Sequence, residues 1–230
     1  MSQKRISRAR KRDLEKPDEF ISVTTAFIQK MTQYRTPLII GIIVVFASLT
    51  AFSAVRYFSR QAENRAFQLL SANLQTYQDA ARAGSSRQAL DQVKPQFESL
   101  LADYGNRDGG KLARLVFADL NYQAGNHDDA IANYEQALKV LPEGHFASGS
   151  ALSGLGYAYV AAGKMDKAVA CFEKIVDGNH PRLKTDALYQ LGRLYGEQGQ
   201  PARQKEMYQR LLDEAPEFVY ADLIKRELEG

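Results

Sequence analysis

Cysteine is nearly missing from this chain of 230 residues, with Cys171 the only one. An intramolecular disulfide is thereby excluded, and the redox compartment cannot be read from cysteine usage. Cys171 stands beside Phe172 in a helical pattern, the setting of a semi-buried, inert thiol. Histidine is scarce too. His127, His145 and His180 fall in predicted loops or at helix starts, and none lies four residues from another His or Cys, so metal-ligand spacing is lacking. Neither a phosphate-cradling glycine loop nor a Gly-x-Ser-x-Gly elbow occurs. The acidic pairs Asp128-Asp129 and Asp213-Glu214 read as a helix's first turn and a solvated face, not as an acid/base couple. The sequence thus gives no sign of an enzyme, a cofactor or a metal site.

Two further absences are local. From Thr36 to Val55 there is no charge, and Arg35 and Arg56 bracket the gap. About twenty helical residues span about 30 Å, the thickness of a bilayer's hydrocarbon core. A buried soluble helix of that length would show a polar face, and this run has none. Ala51-Phe52-Ser53 offers a cleavage-like spacing, but the preceding tail is too long for a signal peptide's n-region and the run too long for its h-region. The run therefore reads as a single membrane anchor, over 36–58. The second absence is of helix breakers: no Gly or Pro occurs from Ile42 to Ala83, so the same helix can continue as a stalk.

Charge is uneven about this run. Residues 1–36 hold nine Lys/Arg against four Asp/Glu, a balance of +5, while the whole chain is +3 and the remainder therefore −2. A near-neutral large domain lacks the footprint of a nucleic-acid binder. The basic tail, 1–35, instead sets orientation and meets anionic lipid, which puts the N-terminus in the cytoplasm and the large domain across the membrane. Within the tail, Phe20, Val23, Phe27, Met31 and Tyr34 recur at helical spacing, a short amphipathic helix.

Past Arg65, Phe67, Leu70, Leu74, Tyr77 and Ala81 form one apolar stripe, and Leu90, Val93, Phe97 and Leu100 form another. The break at Ala83-Gly84-Ser85-Ser86 makes them an antiparallel hairpin within 59–104, with Ser85 or Ser86 as cap. Pro95 should kink its second helix or delay its start. Tyr104 to Gly110 reads as a loop.

From 111 to 216 the chain repeats itself. Phe117, Ala118, Tyr122, Gly125, Ala130, Tyr134, Ala137, Leu138 and Pro142 align with Leu155, Gly156, Tyr159, Gly163, Ala168, Phe172, Ile175 and Val176, with Pro181 one place late. They align again with Leu191, Gly192, Tyr195, Gly199, Gln204, Tyr208, Leu211, Leu212 and Pro216, at offsets of 38 and 36 residues. This pattern resembles the tetratricopeptide repeat (TPR) family, whose unit is about 34 residues. Ala118, Gly156 and Gly192 would let each unit's two helices approach closely, with Ala130 and Ala168 doing the same from the facing helix. Gly125, Gly163 and Gly199 would close the first helix in a left-handed conformation. The surplus residues fit loops, Glu143 to Ser150 above all. Gln204 replaces a close-packing alanine, so the third unit should be splayed or its second helix shifted. The 64–103 hairpin fits only loosely, as a diverged first unit lacking the small pair. Phe218, Tyr220, Ala221, Leu223, Ile224 and Leu228 give a capping helix within 217–230. The fold expected is all-α: a short α-solenoid on a single transmembrane helix.

The family resemblance implies a concave face that grips another polypeptide. Its groove positions map to Leu115, Asp119, Tyr122 and Gln123, then Ser153, Tyr157, Val160 and Ala161, then Tyr189, Arg193, Gly196 and Glu197. Tyr122, Tyr157 and Tyr189 would form an aromatic ladder with Arg193 as the one cation, side chains that binding hot spots favour. A carboxylate clamp needs more Lys, Arg and Asn than that, so a chaperone's C-terminal carboxylate is a poor ligand. The whole layout resembles the ancillary bacterial translocon subunits, single-span proteins that present such a domain to the periplasm beside the SecYEG channel and periplasmic chaperones. That resemblance implies a membrane-anchored periplasmic scaffold in export or folding. Other readings are a structural component that oligomerises through stalk or solenoid, and an accessory subunit of a membrane enzyme complex. Exposure of Phe67, Leu70 and Leu74 would favour the structural reading.

Overall fold

The computed structural model describes residues 24, 25, 27–30, 35–142, 144, 146–178 and 180–229. Residues 1–23 of the basic tail, with Phe20 and Val23 of the short amphipathic helix, and also Met31, Tyr34 and His145, lie outside them. Two units make up the chain, Met1–Ser59 and Arg60–Gly230, and helix α1 (Arg35–Ala83) contributes to both. In the first unit, residues 39–58 are exposed throughout, Phe46 by 67% and Val55 by 68%. Among the described residues α1 is the one helix long and apolar enough to cross a membrane, by length and composition. Arg56 holds its guanidinium 5.7 Å from the Phe52 ring centroid, and Tyr57 meets Phe58 edge-on.

The second unit is a row of helical hairpins. The end of α1 shares a buried cluster with α2 (Ser86–Tyr104), while α3 (Asp108–Gln123) pairs with α4 (His127–Val140), α5 (Phe146–Ala161) with α6 (Met165–Asp177), and α7 (Pro181–Glu197) with α8 (Pro201–Glu214). Helix α9 (Ala221–Glu229) packs on α8 and closes the row. The first helices α3, α5 and α7 touch one another in turn, whereas α4, α6 and α8 do not. The row therefore bends with the first helices inside and the second helices outside.

Each repeat turns the same way. Gly125, Gly163 and Gly199 have φ of +79°, +70° and +69°. The amides that follow them, of Asn126, Lys164 and Gln200, donate to the carbonyls of Asn121, Tyr159 and Tyr195. This is the six-to-one bond of a Schellman motif, which satisfies carbonyls the helix end leaves free. It also corrects the alignment. Asn121, not Tyr122, occupies the place of Tyr159 and Tyr195, and Asn121 is fully buried.

Small residues facing rings set the helix separation. A Cβ on Gly156 would meet the Phe172 ring at 2.8 Å, and one on Gly192 would meet the Tyr208 ring at 2.2 Å. Ala118, Ala130 and Ala168 are fully buried. The third repeat is not splayed. Gln204 fits because Gly196 faces it, a Cβ there being 2.8 Å from Gln204 Nε2, and that amide goes on to donate to Glu227 Oε1 of α9 at 2.6 Å. The first hairpin shows the pair with sides exchanged. Setting buried Ala89 on Ala130 puts Tyr77 at the place of Ala118 and Val93 at that of Tyr134, and both are buried in one cluster.

Several boundaries differ from the pattern. Helix α2 starts at Ser86 despite Pro95, because a capping box holds it: Gln88 N–H donates to Ser85 Oγ at 3.3 Å, and Ser85 N–H to Gln88 Oε1 at 3.1 Å. Exposed Pro95 leaves its unmet carbonyl partner open to water. Residues 108–110 are helix rather than loop. Glu63 of α1 caps them from 45 residues away, accepting from Asp108 N–H at 3.2 Å and Gly109 N–H at 2.6 Å. Glycine is needed there, since a Cβ on Gly109 would meet Ala66 Cβ at 2.9 Å. Likewise Phe146 to Ser150 belong to α5, not to the loop before it. In α9, Ala221 and Ile224 face inward, while Leu223 is 56% exposed.

Gly156→Leu should lower stability by roughly 1–3 kcal/mol or more through overpacking against Phe172; an unchanged urea midpoint would refute the packing account. Glu63→Ala should cost about 0.5–2 kcal/mol, the usual worth of an N-terminal cap. Faster hydrogen exchange at the Asp108 and Gly109 amides would report it, and unaltered exchange would remove Glu63 from that role.

Candidate partner-binding face

The seven residues expected to bind a partner all lie on first helices: Asp119, Tyr122 and Gln123 on α3, Tyr157 on α5, and Tyr189, Arg193 and Glu197 on α7. The inward bend puts them along one face. They do not form a bare tyrosine ladder. Tyr157 is half-buried; its hydroxyl donates to Asp186 Oδ2 at 2.7 Å and accepts from Gln190 Nε2 at 3.1 Å. Arg193 continues the network, donating to Gln190 Oε1 at 3.3 Å and pairing with Glu197 Oε1 at 3.1 Å. A polar strip thus crosses from α5 to α7 with its one cation already neutralised.

Tyr189 is covered from the other side. Its ring lies 5.2 Å from that of Tyr220, 5.5 Å from Phe218 and 6.3 Å from Tyr208. Tyr122, half-buried, leans on His127 at 5.7 Å. Gln123 is exposed and its Oε1 accepts weakly from Tyr77 of α1 at 3.5 Å. Asp119 accepts from Tyr134 of α4. Burial pushes the Asp119 carboxyl above the ordinary range, and the Tyr134 bond only partly offsets that.

Sequence reasoning missed Asp186 and Gln190. Their signal was present: 186, 190, 193 and 197 follow steps of four, three and four, one polar stripe on a helix. It was passed over because the family's groove positions do not include them. Behind the face, Tyr159 donates to Glu135 at 2.5 Å and Tyr195 to Glu173 at 2.6 Å, each bond joining one hairpin to the next. Burial and these carboxylates raise both phenols, Tyr195 to about 12; burial raises Tyr208 to about 12 as well.

Chemically, the face offers hydrogen-bond donors, acceptors and ring planes, the equipment for holding a polypeptide. Among the described residues no group of three His, Cys, Asp or Glu is placed to hold a metal ion. Burial pushes the Cys171 thiol up to about 11, which keeps it protonated and inert near neutrality.

Tyr157→Phe should cost about 1.5–3 kcal/mol, the scale of a hydrogen bond to a charged group. Equal thermal midpoints for variant and parent would show that bond to be idle. A second outcome concerns pH. Phenols whose folded pKa is raised contribute stability that is full below the unfolded value near 10 and is lost as pH rises through the folded values, about 12 for Tyr195 and Tyr208. Stability should therefore fall from about pH 10 upward. Ultraviolet titration of the folded protein should show these phenolates appearing late, and a single transition at the free value would contradict the latches.

No curated protein matches the chain. Solved structures do. Two crystal structures of MamA are each 18% identical, one with TM-score 0.50 over 61% of this chain and 80% of that one, the other with TM-score 0.53 over 67% and 77%. A Podosopora anserina putative kinesin light chain with nearly identical TPR-like repeats is 15% identical, with TM-score 0.56 over 72% of this chain and 84% of that one. At such identities the likeness concerns the fold alone. The sequence profile of the tetratricopeptide repeat-like domain matches residues 31–229. With a solenoid of TPR-like hairpins and a match over most of its length, the chain belongs to the tetratricopeptide repeat-like domain family.

Proposed function

We propose that this protein is a membrane-anchored scaffold that holds other polypeptides on the inner face of its solenoid. The TPR-like fold is typical of protein-binding scaffolds and generally non-catalytic. The observation that carries the anchor is the run from residue 39 to 58, exposed along its whole length and without a charge before Arg56. An uncovered apolar helix of that size is unstable in water and at home in lipid. Arg56, Tyr57 and Phe58 at its end suit the headgroup layer. The family profile begins at residue 31, so the run belongs to the matched segment and is not an appendage.

The orientation we propose follows the basic tail: a bacterial inner-membrane protein with its N-terminus in the cytoplasm and the solenoid in the periplasm. Work in envelope protein export or folding near the Sec translocon suits that layout, with translocon subunits, periplasmic chaperones or exported chains as partners. Oligomerisation through the stalk is the weaker reading, because Leu70 is buried and Leu74 half-buried in the cluster shared with α2, leaving only Phe67 exposed.

Photo-crosslinking from exposed position 123, in native membranes, should capture translocon subunits, periplasmic chaperones or exported chains. Adducts confined to the protein itself or to cytoplasmic proteins would overturn the function, and the latter would reverse the topology.

A further inference from the structure

The exposed large apolar side chains of the second unit are not scattered. Among the described residues they are Phe67, Leu112, Phe146, Val219, Tyr220 and Leu223. Phe146 and Leu223 sit in the first turns of α5 and α9, Leu112 follows the first turn of α3, and Val219 and Tyr220 immediately precede α9. Phe67 is level with them, its amide nitrogen 3.0 Å from a Cβ built on Gly109. All six therefore share one edge, where first helices begin and second helices end.

That they share an edge follows from the packing. Helix α1 past residue 60 runs parallel to α3, because Glu63 meets Gly109 and Tyr77 meets Gln123 at the same offset of 46 residues. His180 and Leu183 at the start of α7 face Gly149 at the start of α5. Gln204 at the start of α8 meets Glu227 at the end of α9, so α9 begins on the same side as α7. The opposite edge is polar. It carries Asp79, Arg82, Asp128, Lys164, Asp166 and Gln198, several joined as Lys164–Asp128 at 2.9 Å and Gln198–Asp166 at 3.0 Å. No large apolar side chain is exposed there among the described residues.

We infer that the apolar edge docks on the surface of the lipid bilayer, with Phe146 and Val219, 63% and 79% exposed, as its insertion points. This rests on the membrane-anchor reading above. The chain enters the second unit at this same edge, and only eight residues separate Val55 from Glu63, whose carboxylate is fixed to the start of α3. Even fully extended, eight residues reach roughly 29 Å. The end of the edge at Glu63 is thus tethered within about that distance of Val55, which raises the edge's effective concentration at a bilayer holding the run. Single exposed apolar residues need no explanation, but six on one edge and none on the other do. Lipid suits them better than a second copy, because the chain enters the second unit from the proposed membrane run at this same edge. The edge carries both Arg182 and Lys184 and, nearby, Glu214, Glu217 and Asp222. Docking should accordingly persist on zwitterionic lipid.

The chain contains no tryptophan, so single reporters can be read without background. The full chain is reconstituted in phosphatidylcholine nanodiscs carrying Phe46→Trp, Phe146→Trp, Val219→Trp or, at the polar edge, Ala202→Trp. Emission is measured with and without lipid brominated near the headgroup end of its acyl chains or deep within them. The expected result is deep quenching at 46, shallow quenching with a blue shift at 146 and 219, and none at 202. Quenching at 46 without quenching at 146 and 219 would overturn the docking and leave the anchor standing. A blue shift at 146 or 219 with no quenching would assign the edge to a protein contact, a second copy included, and also overturn it. Absence of quenching at 46 would remove the anchor and the docking together.

Discussion

The depth to which each hairpin's two helices can approach governs the rest of the structure. That depth is set where a residue with little or no side chain faces a ring, Gly156 against Phe172 and Gly192 against Tyr208. Close approach there buries the rings, and the buried rings supply much of each repeat's apolar area. It also fixes which helices can meet their neighbours. Because α3, α5 and α7 touch in series and the outer helices do not, the row curves, and curvature makes an inner face. The face on which a partner would lie is thus a consequence of glycine placement several residues away from it.

Neighbouring hairpins are joined by a second, repeated device. A tyrosine of one first helix reaches a glutamate of the preceding outer helix, Tyr159 to Glu135 and Tyr195 to Glu173. At the junction between the first hairpin and the first repeat this device is replaced. Asn121 stands where the tyrosine would be and Lys94 where the glutamate would be, and Lys94 turns instead to Asp129 at 3.5 Å. The buried Asn121 Oδ1 and Asn73 Nδ2 lack hydrogen-bond partners in this region. What holds the junction is the Glu63 carboxylate on the first amides of α3, together with stacked Phe97 and Phe117. A charged cap and a ring stack do the work of the tyrosine latches.

That the proposed groove residues lie on first helices was legible in the sequence, because each was tied to a position relative to a turn glycine. What escaped was the company those residues keep. Tyr157 and Tyr189 are identical as letters, yet one is held by Asp186 and Gln190 and the other is roofed by Phe218 and Tyr220. Those partners come from the first helix of the next repeat and from the C-terminal segment, at distances along the chain that no local periodicity encodes. The same holds for Gln204, whose bulk looks like a defect until Gly196 appears opposite it.

Sequence alone determined the helices, their turns and the repeat, because a glycine at positive φ, a serine cap and a 3.6-residue apolar stripe are local constraints. It determined too that residues 36–55 have no polar face. Tertiary structure decided that Asp108 to Gly110 are helical, since their cap is Glu63, and that Asn121 rather than Tyr122 is the buried equivalent. It alone gathered six exposed apolar side chains, spread from Phe67 to Leu223, onto one edge. The physical reason is the same each time. Local propensity fixes what a segment is, while close packing between segments fixes what it faces.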